Sequence, residues 1–250
     1  PSSYSRGRYL YPSDMGCSED GYVKSSASMS ESNLTADVWA NFTGHSAGIS
    51  SLVKLKDNRI VSGSYGHLAK VWSEVGNEWL CESTIKGHYS SIYSIIALSD
   101  ERLVTSSWYG KIKVWHESSF EWICDATLEG HKGPVRSVCA LSGKRLASAS
   151  SDHCLKIWHE YDSGWLCEST LVGHDGEVLS VIVLSDNRLV SGSTDNTIRV
   201  WCESKGMWEC QDVLEEHTDS VQCVLGLSNG GIASVSDDMS VKVWLSSDSG

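Results

Sequence analysis

Apolar and polar positions alternate along this chain in short runs. One stretch, residues 173–204, reads GHDGEVLSVIVLSDNRLVSGSTDNTIRVWCES. Val178, Ser180, Ile182 and Leu184 mark alternate positions of a strand. Ser185-Asp186-Asn187 is turn chemistry, Leu189–Ser193 a second strand, Thr194-Asp195-Asn196 a tight turn, and Thr197–Trp201 a β-branched third strand. The run MWECQDVLEEH that follows supplies a fourth. The same pattern recurs every 43 residues, marked by His45, His88, His131, His174 and His217. A tryptophan stands 27 residues after each: Trp72, Trp115, Trp158, Trp201 and Trp244. Trp79, Trp122, Trp165 and Trp208 recur nine residues before the next histidine. A period in the forties signals one supersecondary unit copied many times. A four-stranded sheet cannot cover both its faces, so copies must pack face to face around an axis, which predicts an all-β propeller of four-stranded antiparallel blades.

The two ends are out of phase. The last unit stops after Trp244 without a fourth strand, and an orphan strand, Asn33–Phe42, precedes the first. Pairing the two predicts a ring of five blades closed by the N-terminal strand, which removes two exposed sheet edges. Residues 1–33 are serine-rich and lack the repeat, so they are expected to form a flexible or partly ordered arm before a propeller at 34–250.

Gly-His, a strand, Ser-Gly-Ser-x-Asp and Ile-x-Val-Trp together resemble the WD-repeat β-propeller family, over residues 34–246. The resemblance implies a buried hydrogen-bond tetrad in each blade. It falls on His131, Ser148, Asp152 and Trp158, on His174, Ser191, Asp195 and Trp201, and on His217, Ser234, Asp238 and Trp244. The first two units keep His45, Ser62, Trp72 and His88, Thr105, Trp115, but hold Gly66 and Tyr109 where the aspartate belongs. The Trp-Asp dipeptide never occurs, and Glu216 replaces the glycine before the fifth histidine. Most members of the family close with seven blades. A closed five-blade ring, a truncated chain and completion by another chain therefore all remain open.

Composition narrows the partners. The net charge of −12 disfavours a nucleic-acid backbone and favours basic proteins or peptides. No apolar run approaches the ~20 residues of a membrane-spanning helix. Nine cysteines include four at one repeat position, Cys81, Cys124, Cys167 and Cys210, which read as small buried hydrophobes in a reducing, intracellular and cytoplasmic setting. Glu74, Glu117, Glu160 and Glu203 recur as solvated turn residues.

No catalytic or cofactor chemistry is expected. The repeat histidines are absorbed by the tetrads, and His67, His116, His153 and His159 lack zinc-site spacing, so no metal is expected either. The Ser/His/Asp sets lie between strands without a nucleophile elbow, and no phosphate-binding glycine loop is present.

The resemblance places three kinds of position on the narrow top face. These are Gly48, Ser91, Pro134, Glu177, Ser220; then Ser50, Tyr93, Arg136, Leu179, Gln222; and the residues before the tetrad aspartate, Tyr65, Trp108, Ser151, Thr194, Asp237. Tyr65, Tyr93, Trp108 and Tyr109 gather on the first two blades and Arg136 on the next, residue types enriched at interface hot spots. Tyr65, Tyr93, Trp108, Tyr109, Arg136, Glu177 and Asp237 are thus the candidate partner-binding residues, with Tyr93 and Trp108 as anchors and Arg136 reading an acidic group. The expected function is a non-enzymatic protein-interaction scaffold or adaptor, a subunit of a larger complex. A carbohydrate-binding propeller and the substrate-recognition subunit of a ubiquitin ligase are the alternatives.

Overall fold

A computed structural model describes residues 40–119 and 121–245. The first blade is β1 (Ile49–Lys54), β2 (Ile60–Ser64), β3 (Ala69–Val75) and β4 (Glu78–Ile85). The second is β5 (Ile92–Ala97), β6 (Leu103–Ser107), β7 (Ile112–Ser118) and β8 (Glu121–Leu128). The third is β9 (Val135–Leu141), β10 (Arg145–Ser150), β11 (Cys154–Tyr161) and β12 (Gly164–Val172), and the fourth β13 (Val178–Val183), β14 (Leu189–Ser193), β15 (Ile198–Ser204) and β16 (Met207–Leu214). The fifth has β17 (Val221–Gly226), β18 (Ile232–Ser236) and β19 (Val241–Trp244). Each sheet is an antiparallel meander in chain order, with four strands in the first four blades and three described strands in the last.

Two turns recur in every blade, and each needs one left-handed residue. At the second turn that position holds His67, Gly110, His153, Asn196 and Met239, all with φ between 66° and 71°. At the first it holds Asn58, Glu101, Lys144, Asn187 and Gly230. Asparagine and glycine suit this region, whereas methionine does not. His67 and His153 thus serve as turn residues.

The cores lie between blades. Leu55, Val61, Val71 and Ile85 of the first blade pack with Ile92, Ile95, Leu103 and Trp115 of the second. Equivalent clusters join the second to the third blade, the third to the fourth and the fourth to the fifth. Each fully buried Ile or Val contributes about 1.5–3 kcal/mol, so every blade is held mainly by its neighbours. The inner strands pack in series, β1 on β5, β5 on β9, β9 on β13 and β13 on β17, with no comparable packing of β17 on β1. Ile49 and Leu52 at one end and Val241 and Val243 at the other stay exposed. The arm at 1–33 and most of the closing strand, residues 33–39, lie outside the described residues. Phe42 tilts against Trp72 at 4.8 Å and stacks on Trp79 at 5.5 Å between centroids, both in the first blade.

Two expectations need correction. Cys81, Cys167 and Cys210 are exposed and Cys124 half-buried. A bulge in the pairing of each third strand with its fourth, such as that between Val71 and Trp72, breaks the alternation beside the cysteine, and no blade covers the outermost strand. The recurring glutamates are not merely solvated. Glu117, Glu160 and Glu203 take both guanidinium amines of Arg59, Arg102 and Arg145 from the preceding blade, at 2.6–2.9 Å. Arg59, Arg102, Arg145 and Arg188 share the 43-residue spacing, a signal in the sequence that marks one side of these clamps.

Candidate interaction surface

The tetrads set the loops on which the surface is built. In the third blade, Trp158 Nε1 donates to Ser148 Oγ at 2.8 Å, Ser148 Oγ lies 2.7 Å from His131 Nε2, and His131 Nδ1 lies 2.8 Å from Asp152 Oδ2. With Nδ1–H donating to the carboxylate, the neutral ring accepts the serine proton at Nε2, so one relay satisfies a buried indole and a buried hydroxyl. The fourth and fifth blades repeat it through His174, Ser191, Asp195, Trp201 and His217, Ser234, Asp238, Trp244. The aspartate also accepts from the next loop's backbone, Lys132 in the third blade. Burial alone would raise the Asp152 carboxyl, but the hydrogen bonds from His131 and Lys132 outweigh it and lower its pKa to about 2.

The first two blades stop one link short. His45 reaches Ser62 and His88 reaches Thr105, each at 2.7 Å, with Trp72 and Trp115 donating to the same oxygens. Burial, and then the nearby Lys113, push the His88 imidazole down to about 4.

A shared backbone bond brings two of the top-face sets together. The N–H groups of Tyr65, Trp108, Ser151, Thr194 and Asp237 donate to the carbonyls of Gly48, Ser91, Pro134, Glu177 and Ser220. The third set reaches the same residues sideways: Arg136 donates to Ser151 at 2.9 Å and Gln222 to Asp237 at 2.7 Å.

From these placements grows a ribbon across four blades. Tyr65 meets Tyr93 edge-on at 5.8 Å, and Tyr93 tilts against Trp108 at 6.1 Å. The Arg136 guanidinium lies 4.8 Å from the Tyr93 ring centre and 5.9 Å from that of Trp108, within cation–π range. Its Nη2 donates to Glu177 Oε2 at 2.9 Å, and Ser151 Oγ donates to the same oxygen at 2.7 Å. Burial would raise the Glu177 carboxyl, but the bonds from Ser151 and Arg136 prevail and hold it below its usual value. Tyr65 and Trp108 remain nearly half-exposed.

The structure therefore gathers Tyr65, Tyr93, Trp108, Arg136 and Glu177. Tyr109 stands exposed beside them, its N–H donating to Ser90 Oγ, with no ring contact among the described residues. Asp237 lies apart on the fifth blade with Gln222. Arg136 spends two of its nitrogens on Ser151 and Glu177, so it braces the aromatic pair more than it offers itself to an acidic group. Top-face positions differ from blade to blade. Among the described residues no three His, Cys, Asp or Glu side chains converge as a metal centre requires, and no helix is long and apolar enough to cross a membrane.

Known proteins agree with this architecture. The crystal structure of the WD40 β-propeller domain of Doa1 is similar at 26% identity and a TM-score of 0.69, over 82% of this chain and 66% of that one. The present chain thus spans just under two thirds of that domain's length. No curated protein matches the chain. The family described as WD domain, G-beta repeat matches residues 37–73, 79–116, 122–159, 165–202 and 208–244; each of the last four matches runs from the outer strand of one blade through the first three strands of the next. With all five blades matched and each indole relay in place, the chain belongs to the WD-repeat β-propeller family.

Proposed function

We propose that this chain is a non-catalytic scaffold that holds a protein partner on the ribbon formed by Tyr65, Tyr93, Trp108, Arg136 and Glu177. WD-repeat propellers are typically protein-interaction scaffolds. The observation that carries the reading is the ribbon itself: half-exposed aromatics of two blades, braced by an arginine from a third and a carboxylate from a fourth. Rigid aromatic surface of this kind gives contact area at little entropic cost. The occupied guanidinium and the net charge of −12 favour a basic segment as the partner. The scaffold acts within a larger complex, in the cytoplasm.

Affinity capture of tagged chain, with Tyr93→Ala and Trp108→Ala beside the unaltered protein, tests this. Loss of an anchor of this type costs ~2 kcal/mol or more, about thirtyfold in affinity. Partner recovery should collapse while the melting temperature stays within a few degrees. Undiminished recovery of the same partner by both variants would contradict the assignment.

A further inference from the structure

The outer edge of the first three blades carries a side-chain motif that neither the relays nor the aromatic ribbon uses. In the first blade it is Lys70 on β3 with Cys81 and Thr84 on β4. Lys113, Cys124 and Thr127 repeat it in the second blade, and Lys156, Cys167 and Thr170 in the third. Lys70 pairs with Thr84 and Trp72 with Cys81, and the bulge lies between the two pairs. Regular alternation would send the side chains of Cys81 and Thr84 to opposite faces of the sheet. The extra residue of the bulge turns them to the same side, and Cys81 Sγ lies 3.9 Å from Thr84 Oγ1.

The lysine completes the group. Lys70 Nζ lies 3.0 Å from Thr84 Oγ1 and 3.6 Å from Cys81 Sγ. The same distances are 2.7 and 3.7 Å in the second blade, and 2.8 and 4.0 Å in the third. The threonine hydroxyl accepts from the lysine and so holds its nitrogen beside the sulfur. Each thiol donates to a main-chain oxygen two residues on, that of Ser83, Ala126 or Ser169, at 3.3–3.6 Å. Cys81 and Cys167 are exposed and Cys124 is half-buried, so all three are open to small solutes.

We infer that these three pairs are sites of a reversible oxidative cross-link between cysteine sulfur and lysine nitrogen, with hydrogen peroxide as the oxidant. The thiolate sulfur attacks the peroxide, the O–O bond breaks, and a sulfenic acid and water form. The unprotonated lysine nitrogen then attacks the sulfur. The S–O bond breaks, a second water leaves, and a sulfenamide S–N bond ties the third strand of the blade to its fourth. One thiol, one amine and one peroxide thus give one sulfenamide and two waters, with the sulfur oxidised and the peroxide reduced. Two molecules of an added thiol reverse the step, leaving as a disulfide and restoring both side chains.

The fourth blade lacks this chemistry. Arg199 takes the lysine's place, its Nη1 3.6 Å from Cys210 Sγ, and Val213 replaces the threonine. A guanidinium keeps its proton and offers no nucleophilic lone pair. Cys210 is as exposed as the others and is the control built into the chain.

Mass spectrometry of the folded, peroxide-treated protein, digested at glutamate without reductant, tests the proposal. A glutamate separates lysine from cysteine in every pair, so the two peptides stay together through the link alone. Lys70–Cys81, Lys113–Cys124 and Lys156–Cys167 should appear as linked peptides, lighter than the sum of their parts by two hydrogens and released by dithiothreitol. Cys210 should be oxidised without joining Arg199. Lys113→Arg should abolish the second link while a 1,3-dione still traps the sulfenic acid at Cys124. Arg199→Lys with Val213→Thr should create a link at Cys210. The proposal fails if the folded protein yields sulfinic acids or disulfides at these cysteines and no bond to lysine. It also fails if urea-unfolded protein links the same pairs as readily, since the bulge and the threonine would then play no part.

Discussion

At the residue scale the sharpest contrast is between His88 and His131, one position in two blades. His131 is tied at both nitrogens, by Ser148 and Asp152, while His88 meets Thr105 and has Tyr109 where the carboxylate would stand. The His88 pKa falls from 6.5 to about 4. Below 6.5 the unfolded chain binds a proton that the folded chain refuses. The stabilising contribution is therefore complete above pH 6.5 and fades as pH falls towards 4, by about 3 kcal/mol. Asp152 works in a lower window: its contribution is complete above its ordinary value near 3.8 and is lost towards pH 2. Melting temperatures measured from pH 7 to pH 4 should fall in the unaltered protein and fall distinctly less in a His88→Gln variant. Parallel curves would mean that His88 is not the titrating group. The tetrads were legible from spacing and from family resemblance because each lies within one repeat unit.

At the element scale the blade was readable and the seam between blades was not. Alternation and turn residues place β13 to β16 within a few residues of where they are found, since both act within a strand and its neighbour. The clamp of Arg102 on Glu160 joins residues 58 apart, on different strands of different blades. Its two halves each repeat visibly, but nothing in a linear pattern says that they meet. The outer-strand cysteines were misread for a related reason: alternation fails at a bulge. The clamp is bidentate and largely shielded, with side-chain exposures of 18% and 21%, so Arg102→Ala should destabilise by about 1–3 kcal/mol. Among the described residues the Arg188 side chain holds the exposed Asp186 of its own turn and no glutamate of another blade. Arg188→Ala should stay within about 0.5 kcal/mol in denaturant unfolding. Equal losses in the two variants would show that the inter-blade pairs add nothing.

At the scale of the whole molecule, the described blades form a series in which each packs mainly on its neighbours. Five blades were legible because each repeat announces itself. The exposure of Ile49 was not, because its own strand is indistinguishable in pattern from that of the buried Ile92. What differs is the sheet on the other side. The aromatic ribbon was partly legible: the residue types were visible, but the bracing of Arg136 by Glu177 depends on two blades meeting. Recognition on the top face, with relays and cores confined to structural work, is the account's central claim. Amide hydrogen exchange of the chain with and without its captured partner tests it most directly. The account expects new protection in the loops around residues 65, 91–93 and 108–109, with the outer strands β4, β8, β12 and β16 unchanged. Protection confined to those outer strands, with the top loops exchanging as before, would contradict it.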